Sequence, residues 1–294
     1  MSLTVRFWGT RGSIPTPGPH TLRYGGNTPC VEVRAREGRS LILDAGTGLR
    51  ALGRRLVADA SAGAIETDLL LTHAHWDHLQ GLPFFEPIHR RGSMLRIWAA
   101  HEAAAVIEDA VRRLMAPSVF PVPFDELGAT IEFRTVTPSG GRIAGFDVMP
   151  VAACHPGGAW GYRIAHPTAA TSLAYFPDNE LGGAAGCAIS DDEYAEWRQA
   201  LRRAIAGADT LIHDSTYTEE EYPAHVGWGH STGEQAVTLA RDAGVPRLVL
   251  FHHAPDRTDD EIDRATEALR ASAATRGNVP TIIAAAEGET IELG

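Results

Sequence analysis

The sequence predicts an α/β protein built as a four-layer αβ/βα sandwich. Two observations carry that expectation. Short apolar runs of strand length recur in a group along the first half of the chain and again in the second. Helical segments with clear start and stop signals separate them. Strands and helices distributed this way bury their apolar faces as two packed sheets with helices outside. No low-complexity linker or fixed-period repeat divides the 294 residues, so 1–294 is expected to form a single domain with a substantial core.

The strand runs, in order, are Val5–Trp8, Cys30–Val33, Leu41–Leu43, Asp68–Thr72, Met94–Trp98 and Thr130–Val136. The second group is Phe146–Ala152, Gly161–Ile164, Leu173–Phe176, Thr210–His213, Arg247–Phe251 and Thr281–Ala284. Each is rich in aliphatic or aromatic residues and bounded by turn-forming ones. His101–Met115 is alanine-rich and reads as a helix. Ser190-x-x-Glu193 and Thr258-x-x-Glu261 are capping boxes that each open a helix. Gly233–Ala243 is a further helix, stopped by Gly244 and Pro246. Ala116–Leu127, with three prolines and two phenylalanines, reads either as a loop shaping a pocket mouth or subunit contact, or as a connection packed on the core.

Composition narrows the functional classes. Hydrophobic residues at 44% and charged residues at 21% fit a soluble globular chain. No run approaches the roughly 18 apolar residues that cross a bilayer. The first residues lack the basic region and apolar run of a secretory signal, so a cytoplasmic location without membrane partners is expected. Cys30, Cys154 and Cys187 are odd in number and lack CxxC spacing, which argues against a disulfide framework and for a reducing compartment. The net charge is −11 and every basic side chain is arginine. That balance argues against an extended nucleic-acid surface, although metal ions reverse the potential inside a cleft.

The chemistry concentrates at strand ends. His73-x-His75-x-Asp77-His78 follows the buried run Leu69–Thr72. On an extended chain His73 and His75 point to the same side, and Asp77 and His78 follow at once. Three imidazoles and a carboxylate presented together suit zinc, iron or manganese. One segment cannot complete two metal sites, so further ligands must come from later strand ends. His155, Asp178 and His252 occupy such positions. Taken singly, each reads as a turn residue; beside the first cluster, each becomes a candidate ligand.

These residues resemble the metallo-β-lactamase superfamily over nearly the whole chain. The branch that looks most similar contains ribonuclease Z, the phosphonate-pathway cyclic phosphodiesterase and class II cyclic-nucleotide phosphodiesterase-like proteins. The matching segments are Phe7–Ser13 (Phe-Trp-Gly-Thr-Arg-Gly-Ser), Leu43–Gly48 (Leu-Asp-Ala-Gly-Thr-Gly), His73–His78, His155, Asp178, Gly229–Thr232 (Gly-His-Ser-Thr) and Leu250–His253 (Leu-Phe-His-His). The resemblance implies the metallo-β-lactamase fold and two divalent ions, zinc first, with manganese or iron as alternatives. It implies that His73, His75 and His155 hold the first ion, that Asp77, His78 and His252 hold the second, and that Asp178 bridges them. His252 and His253 compete for the last position; strand alternation favours His252. Asp44 resembles a carboxylate that orients a ligand histidine.

Two such ions, about 3.5–4 Å apart, would bridge a hydroxide at neutral pH and polarise a phosphoryl oxygen. Asp77 is then the candidate acceptor of the attacking water's proton. His230, at the start of the Gly233–Ala243 helix, is the candidate donor to the leaving oxygen. The competing reading makes His230 a turn residue bonded to Ser231 or Thr232. His213 and His225 receive no role, and His20, His89, His101 and His166 read as surface or satisfied histidines. Relatives that cut tRNA precursors usually carry a long Gly- and Lys-rich arm; the Gly182–Gly186 stretch is short and has no basic residue. The expected partner is therefore a small-molecule phosphodiester or cyclic nucleotide, with a homodimer left open. The alternatives are a thioesterase or lactonase on the same fold, a tRNA 3′-processing endonuclease, or a non-catalytic metal-binding protein. A secreted β-lactamase is disfavoured because Asp178 supplies a bridging carboxylate. A flavodiiron oxygen reductase is disfavoured because it carries Glu where His75 stands.

Overall fold

The computed structural model describes residues 3–35, 39–60, 63–168, 171–276 and 280–293. The first half supplies strands β1 (Leu3–Gly9), β2 (Cys30–Ala35), β3 (Ser40–Leu43), β4 (Glu66–Leu71), β5 (Met94–Ala100) and β6 (Thr130–Val136). The second supplies β7 (Gly141–Ile143), β8 (Phe146–Ala153), β9 (Ala159–Ala165), β10 (Ser172–Phe176), β11 (Thr210–Asp214), β12 (Arg247–Phe251), β13 (Thr281–Ala284) and β14 (Thr290–Leu293). They form two seven-stranded sheets, ordered β14-β1-β2-β3-β4-β5-β6 and β13-β12-β11-β10-β9-β8-β7. In each sheet an antiparallel half gives way to a parallel half, at β3 and at β10.

The burial pattern explains this layering. β1 alternates strictly between buried and half-buried residues, while β10 and β11 are buried throughout and lie inside the second sheet. Val5, Phe7, Val33, Leu43 and Leu70 of one sheet pack against Phe146, Tyr162, Tyr175, Val249 and Phe251 of the other. Outside the first sheet lie α1 (Leu49–Asp59) and α2 (Ala104–Leu114). Outside the second lie α4 (Asp191–Ile205), α5 (Gly233–Asp242) and α6 (Asp259–Ala274), with the four-residue α3 (Ala184–Cys187) ahead of α4. No helix among the described residues is long and apolar enough to cross a membrane.

The expected capping boxes at Ser190 and Thr258 are formed, and Thr232 with Gln235 makes a third. The alanine-rich helix opens at Ala104, three residues later than expected, because no side chain caps it earlier. The Ala116–Leu127 connection packs Phe120 and Phe124 on the outer core of the first sheet. α1 escapes sequence reading because Gly48 offers no capping side chain. β7 and β14 escape it because both are short and mostly unburied.

The cysteine expectation is corrected. Cys154 and Cys187 form a disulfide that ties the end of β8 to α3 across a sequence separation of 33. Only Cys30 is free, and it is buried. Spacing along the chain could not reveal a proximity that arises only when α3 folds back over β8.

Tyr162 ties the sheets together at their centre. From β9 its hydroxyl donates to the Leu71 carbonyl (2.8 Å) and accepts from the Ala100 amide (3.0 Å), both on the opposite sheet. Tyr162→Phe removes both of these buried bonds between the sheets. The expected loss is about 1–3 kcal/mol, measured as a lower denaturant midpoint with unchanged slope.

Candidate metal centre

Strands β4, β8, β10 and β12 end at one rim of the two sheets, and the loops beyond those ends carry the candidate ligands. His73, His75, Asp77 and His78 follow β4. His155 follows β8, Asp178 follows β10 and His252 follows β12. One donor atom from each of His73, His75 and His155 lies within 4.8 Å of the others. Asp77, His78 and His252 make a second such set, and His73, His78 and Asp178 link the two. Asp178 divides its oxygens between them. Oδ2 lies 3.7 Å from His73 Nε2 and 3.8 Å from His155 Nε2. Oδ1 lies 3.0 Å from His78 Nε2 and 3.5 Å from His252 Nε2.

These residues fit divalent ions. His73 Nε2, His78 Nε2 and Asp178 Oδ1 are buried without a hydrogen bond, a costly state unless a cation satisfies them. Burial lowers the pKa of His73, His75 and His155, which keeps those rings neutral, the form that binds metal. Burial alone would raise Asp178, but the His252, His78 and His73 rings hold it well below the usual carboxylate range. Burial likewise opposes charge on His78, but Asp178, Asp77 and Asp44 outweigh it and raise its pKa, so a proton there competes with metal.

The second nitrogens of these rings are held from behind. His78 Nδ1 lies 3.0 Å from Asp44 Oδ2, His73 Nδ1 3.0 Å from Thr72 Oγ1, and His252 Nδ1 3.0 Å from Thr216 Oγ1. His155 Nδ1 donates to the Gly229 carbonyl at 2.9 Å. Asp44, fully buried, also accepts from the Thr72 amide (2.9 Å) and the Tyr175 hydroxyl (2.9 Å). The Ser13 amide donates to Asp77 Oδ2 at 2.8 Å. Ser13, Asp44 and His252 all have φ near +60°, a left-handed conformation that side chains rarely adopt. Three of the five described non-glycine residues with positive φ thus sit at this cluster, where such strain tends to gather.

His252 and His253 diverge for a reason that strand alternation did not contain. Both lie beyond the end of β12, and His252 takes φ 59°. Its Nε2 comes within 3.2 Å of Asp77 Oδ2. His253 turns away and places Nε2 2.9 Å from the Ala285 carbonyl.

His230 joins the same cluster. Its Nδ1 bonds Asp214 Oδ2 at 2.7 Å, rather than Ser231 or Thr232, and lies 3.9 Å from Asp178 Oδ2. Sequence spacing does not single out Asp214, although it ends β11 in the same strand-end position as the candidate ligands. Its Oδ1 accepts from the Thr216 amide at 2.9 Å and hydroxyl at 2.8 Å. His213 is buried and structural. Its Nδ1 donates to the Asp214 carbonyl (2.8 Å), and its Nε2 lies 3.0 Å from Asn179 Nδ2. His225 stacks on Tyr217, with ring centroids 4.3 Å apart. A cavity of about 340 Å³ behind His253, between α5 and α6, stands apart from the candidate ligands. One of about 450 Å³ opens directly on His73 and His75 and is walled by Ala74, Val106, Ile107, Trp160 and the Gly157-Gly158 turn.

Fold and cluster together define the class: a metal-dependent hydrolase built on the αβ/βα sandwich. The model of the Beta-lactamase superfamily domain matches residues 39–253, and the chain belongs to that superfamily. A protein named Ribonuclease Z from Gemmatimonas aurantiaca is 29% identical over 330 aligned positions, covering 100% of this chain and 96% of its own length. The crystal structure of human tRNase Z, short form, superposes with a TM-score of 0.65 at 20% identity, covering 98% of each chain. A diphosphatase from the PhnP family superposes at 0.63 and 18% identity, covering 98% of this chain and 97% of its own. At these identities the two structures share the fold.

Burial alone would lower the His230 pKa, but Asp214 raises it from 6.5 to about 9. A raised folded pKa stabilises the chain fully below the unfolded value near 6.5, and that contribution is lost as pH rises through about 9. In metal-free protein, an NMR titration should place the His230 midpoint near 9. Asp214→Asn should move it toward 6.5 and flatten the fall in stability across that window.

Proposed function

We propose that this hydrolase is a phosphodiesterase acting on small phosphodiesters or cyclic nucleotides. One observation carries the reading: the buried Asp214–His230 pair stands beside two complete donor sets that share Asp178. His73, His75 and His155 would hold one divalent ion and Asp77, His78 and His252 the other, with Asp178 placed between the two sets. Zinc suits this imidazole-rich set best; manganese or iron also fits it. The ions supply Lewis-acid activation of water and of the phosphoryl oxygen. Asp77, ionised and oriented by the Ser13 amide, takes the proton of the attacking water. His230, with Nδ1 engaged by Asp214, delivers a proton from Nε2 to the leaving oxygen.

A small substrate follows from charge and from the Gly182–Gly186 stretch. With 26 arginines against 37 acidic residues, the chain has no surplus of positive charge with which to neutralise a run of phosphates. Gly182 packs against the Tyr222 hydroxyl and Gly186 against Glu180, so this stretch does not form a free arm. Two other readings have specific support. The curated relative is named Ribonuclease Z, which favours tRNA processing. The apolar walls of the 450 Å³ cavity favour an acyl substrate, as a thioesterase or lactonase would require.

Metal analysis of purified protein should give about two ions per chain, and Asp178→Ala should lower that content. Turnover of bis-p-nitrophenyl phosphate and cyclic nucleotides should exceed that of thioesters, lactones and precursor tRNA. The opposite ranking removes this reading.

His230→Ala should retain both ions and lose about 10²–10⁴-fold in kcat on alkyl leaving groups. The loss should shrink for p-nitrophenolate, which leaves without a proton. A uniform loss across leaving groups would instead mark His230 as a substrate-positioning residue.

A further inference from the structure

Two of the six tryptophans are largely exposed, Trp76 at 71% and Trp228 at 61%; the other four are at least half covered. Both exposed rings stand on segments that carry the cluster. Trp76 lies between His75 and Asp77, and Trp228 lies two residues before His230. An indole left in water forgoes a large burial gain, so the fold does not require Trp228 where it is.

The loop nevertheless holds Trp228 firmly. Glu180, fully buried, accepts the amides on both sides of it, from Gly227 at 2.9 Å and from Gly229 at 2.7 Å. The Tyr222 hydroxyl donates to the same carboxylate at 2.6 Å. Gly227 and Gly229 both have φ 87°, so the turn depends on glycine on either side of the tryptophan. The indole meets the His225 ring nearly perpendicularly at 4.9 Å, which covers at most one of its faces. His225 stacks on Tyr217, Tyr217 meets His230 edge-on at 6.0 Å, and His230 stacks on His252 at 4.8 Å. Aromatic contacts therefore run unbroken from the metal cluster to the exposed indole.

We infer that Trp228 is a specificity residue that stacks on the nucleobase of a mononucleoside phosphodiester. The inference rests on the phosphodiesterase reading and names its substrate class. Two residues span at most about 7 Å, so an ester group beside His230 lies within reach of the indole. The Gly229 carbonyl that fixes His155 also fixes the chain next to Trp228, which keeps ring and reaction centre in register. A chain this acidic gains little from phosphate contacts, whereas stacking on a rigid aromatic works without positive charge and accepts any base.

The test uses metal-loaded protein and two diesters with the same leaving group, thymidine 5′-(p-nitrophenyl phosphate) and methyl p-nitrophenyl phosphate. Wild type should favour the nucleoside diester in kcat/KM. Trp228→Ala should cut that ratio by about 10-fold or more, the size of one lost base–aromatic stack, and Trp228→Phe should keep most of it. In parallel, adenosine 5′-monophosphate should quench tryptophan fluorescence far more than ribose 5-phosphate, and Trp228→Ala should abolish the difference. An unchanged ratio in an active Trp228→Ala enzyme, or equal quenching by the two phosphates, overturns the inference. A wild type that turns over neither diester overturns the phosphodiesterase reading instead, and the fluorescence result still decides the stack.

Discussion

The architecture depends on one electrostatic constraint. Asp77 and Asp178 must stay ionised at the meeting line of two sheets, where water cannot solvate them. They are held so by closely packed imidazoles, with ring centroids 4.3 Å apart for the tilted His73–His78 pair and 4.5 Å for the T-shaped His73–His75 pair. Such a cluster persists only if each member is anchored from outside. Asp44, Thr72, Thr216 and the Gly229 carbonyl provide that anchoring, and Tyr175 supports Asp44 from the second sheet. The inter-sheet core therefore does more than bury apolar area: it carries the hydroxyls that cross from one sheet to the other.

The two halves contribute differently. The first sheet presents a compact run, His73 to His78, because one turn after β4 folds into a short 3-10 helix at Trp76–His78. The second sheet contributes single residues from separate strand ends, each alone at its turn. Left-handed backbone at Asp44 and His252 re-aims side chains that an extended chain would send elsewhere. That conformation costs roughly 1–2 kcal/mol per residue, and the dense bonding around the cluster offsets it.

Positioning of His230 shows the same economy. Asp214 binds it, His213 and Thr216 hold Asp214, and Asn179 links His213 to the Cys154 amide. Cys154 is in turn bonded to Cys187, so the segment carrying His155 is closed covalently behind the site. The Glu180 clamp on the Gly227–Gly229 turn extends this support to the mouth.

The local signals were legible in the chain itself. Twelve strand runs, the capping boxes at Ser190 and Thr258, and the His73–His78 pattern all depend on neighbours in sequence, where spacing and propensity act directly. The ends of β4, β8, β10 and β12 could be marked for the same reason, since a buried strand followed by a ligand-type residue is a local pattern. Tertiary structure decided the rest. It brought Asp214 to His230, Tyr175 to Asp44 and Glu180 to the Trp228 turn, contacts between residues 16 to 131 positions apart. It also closed Cys154 on Cys187 and turned His252 toward Asp77 and His253 toward Ala285, with a backbone angle at His252 that no period encodes. Sequence spacing specifies which way a side chain leaves its own strand or helix. Which partner it meets depends on how two sheets pack, and that is settled by the whole core at once.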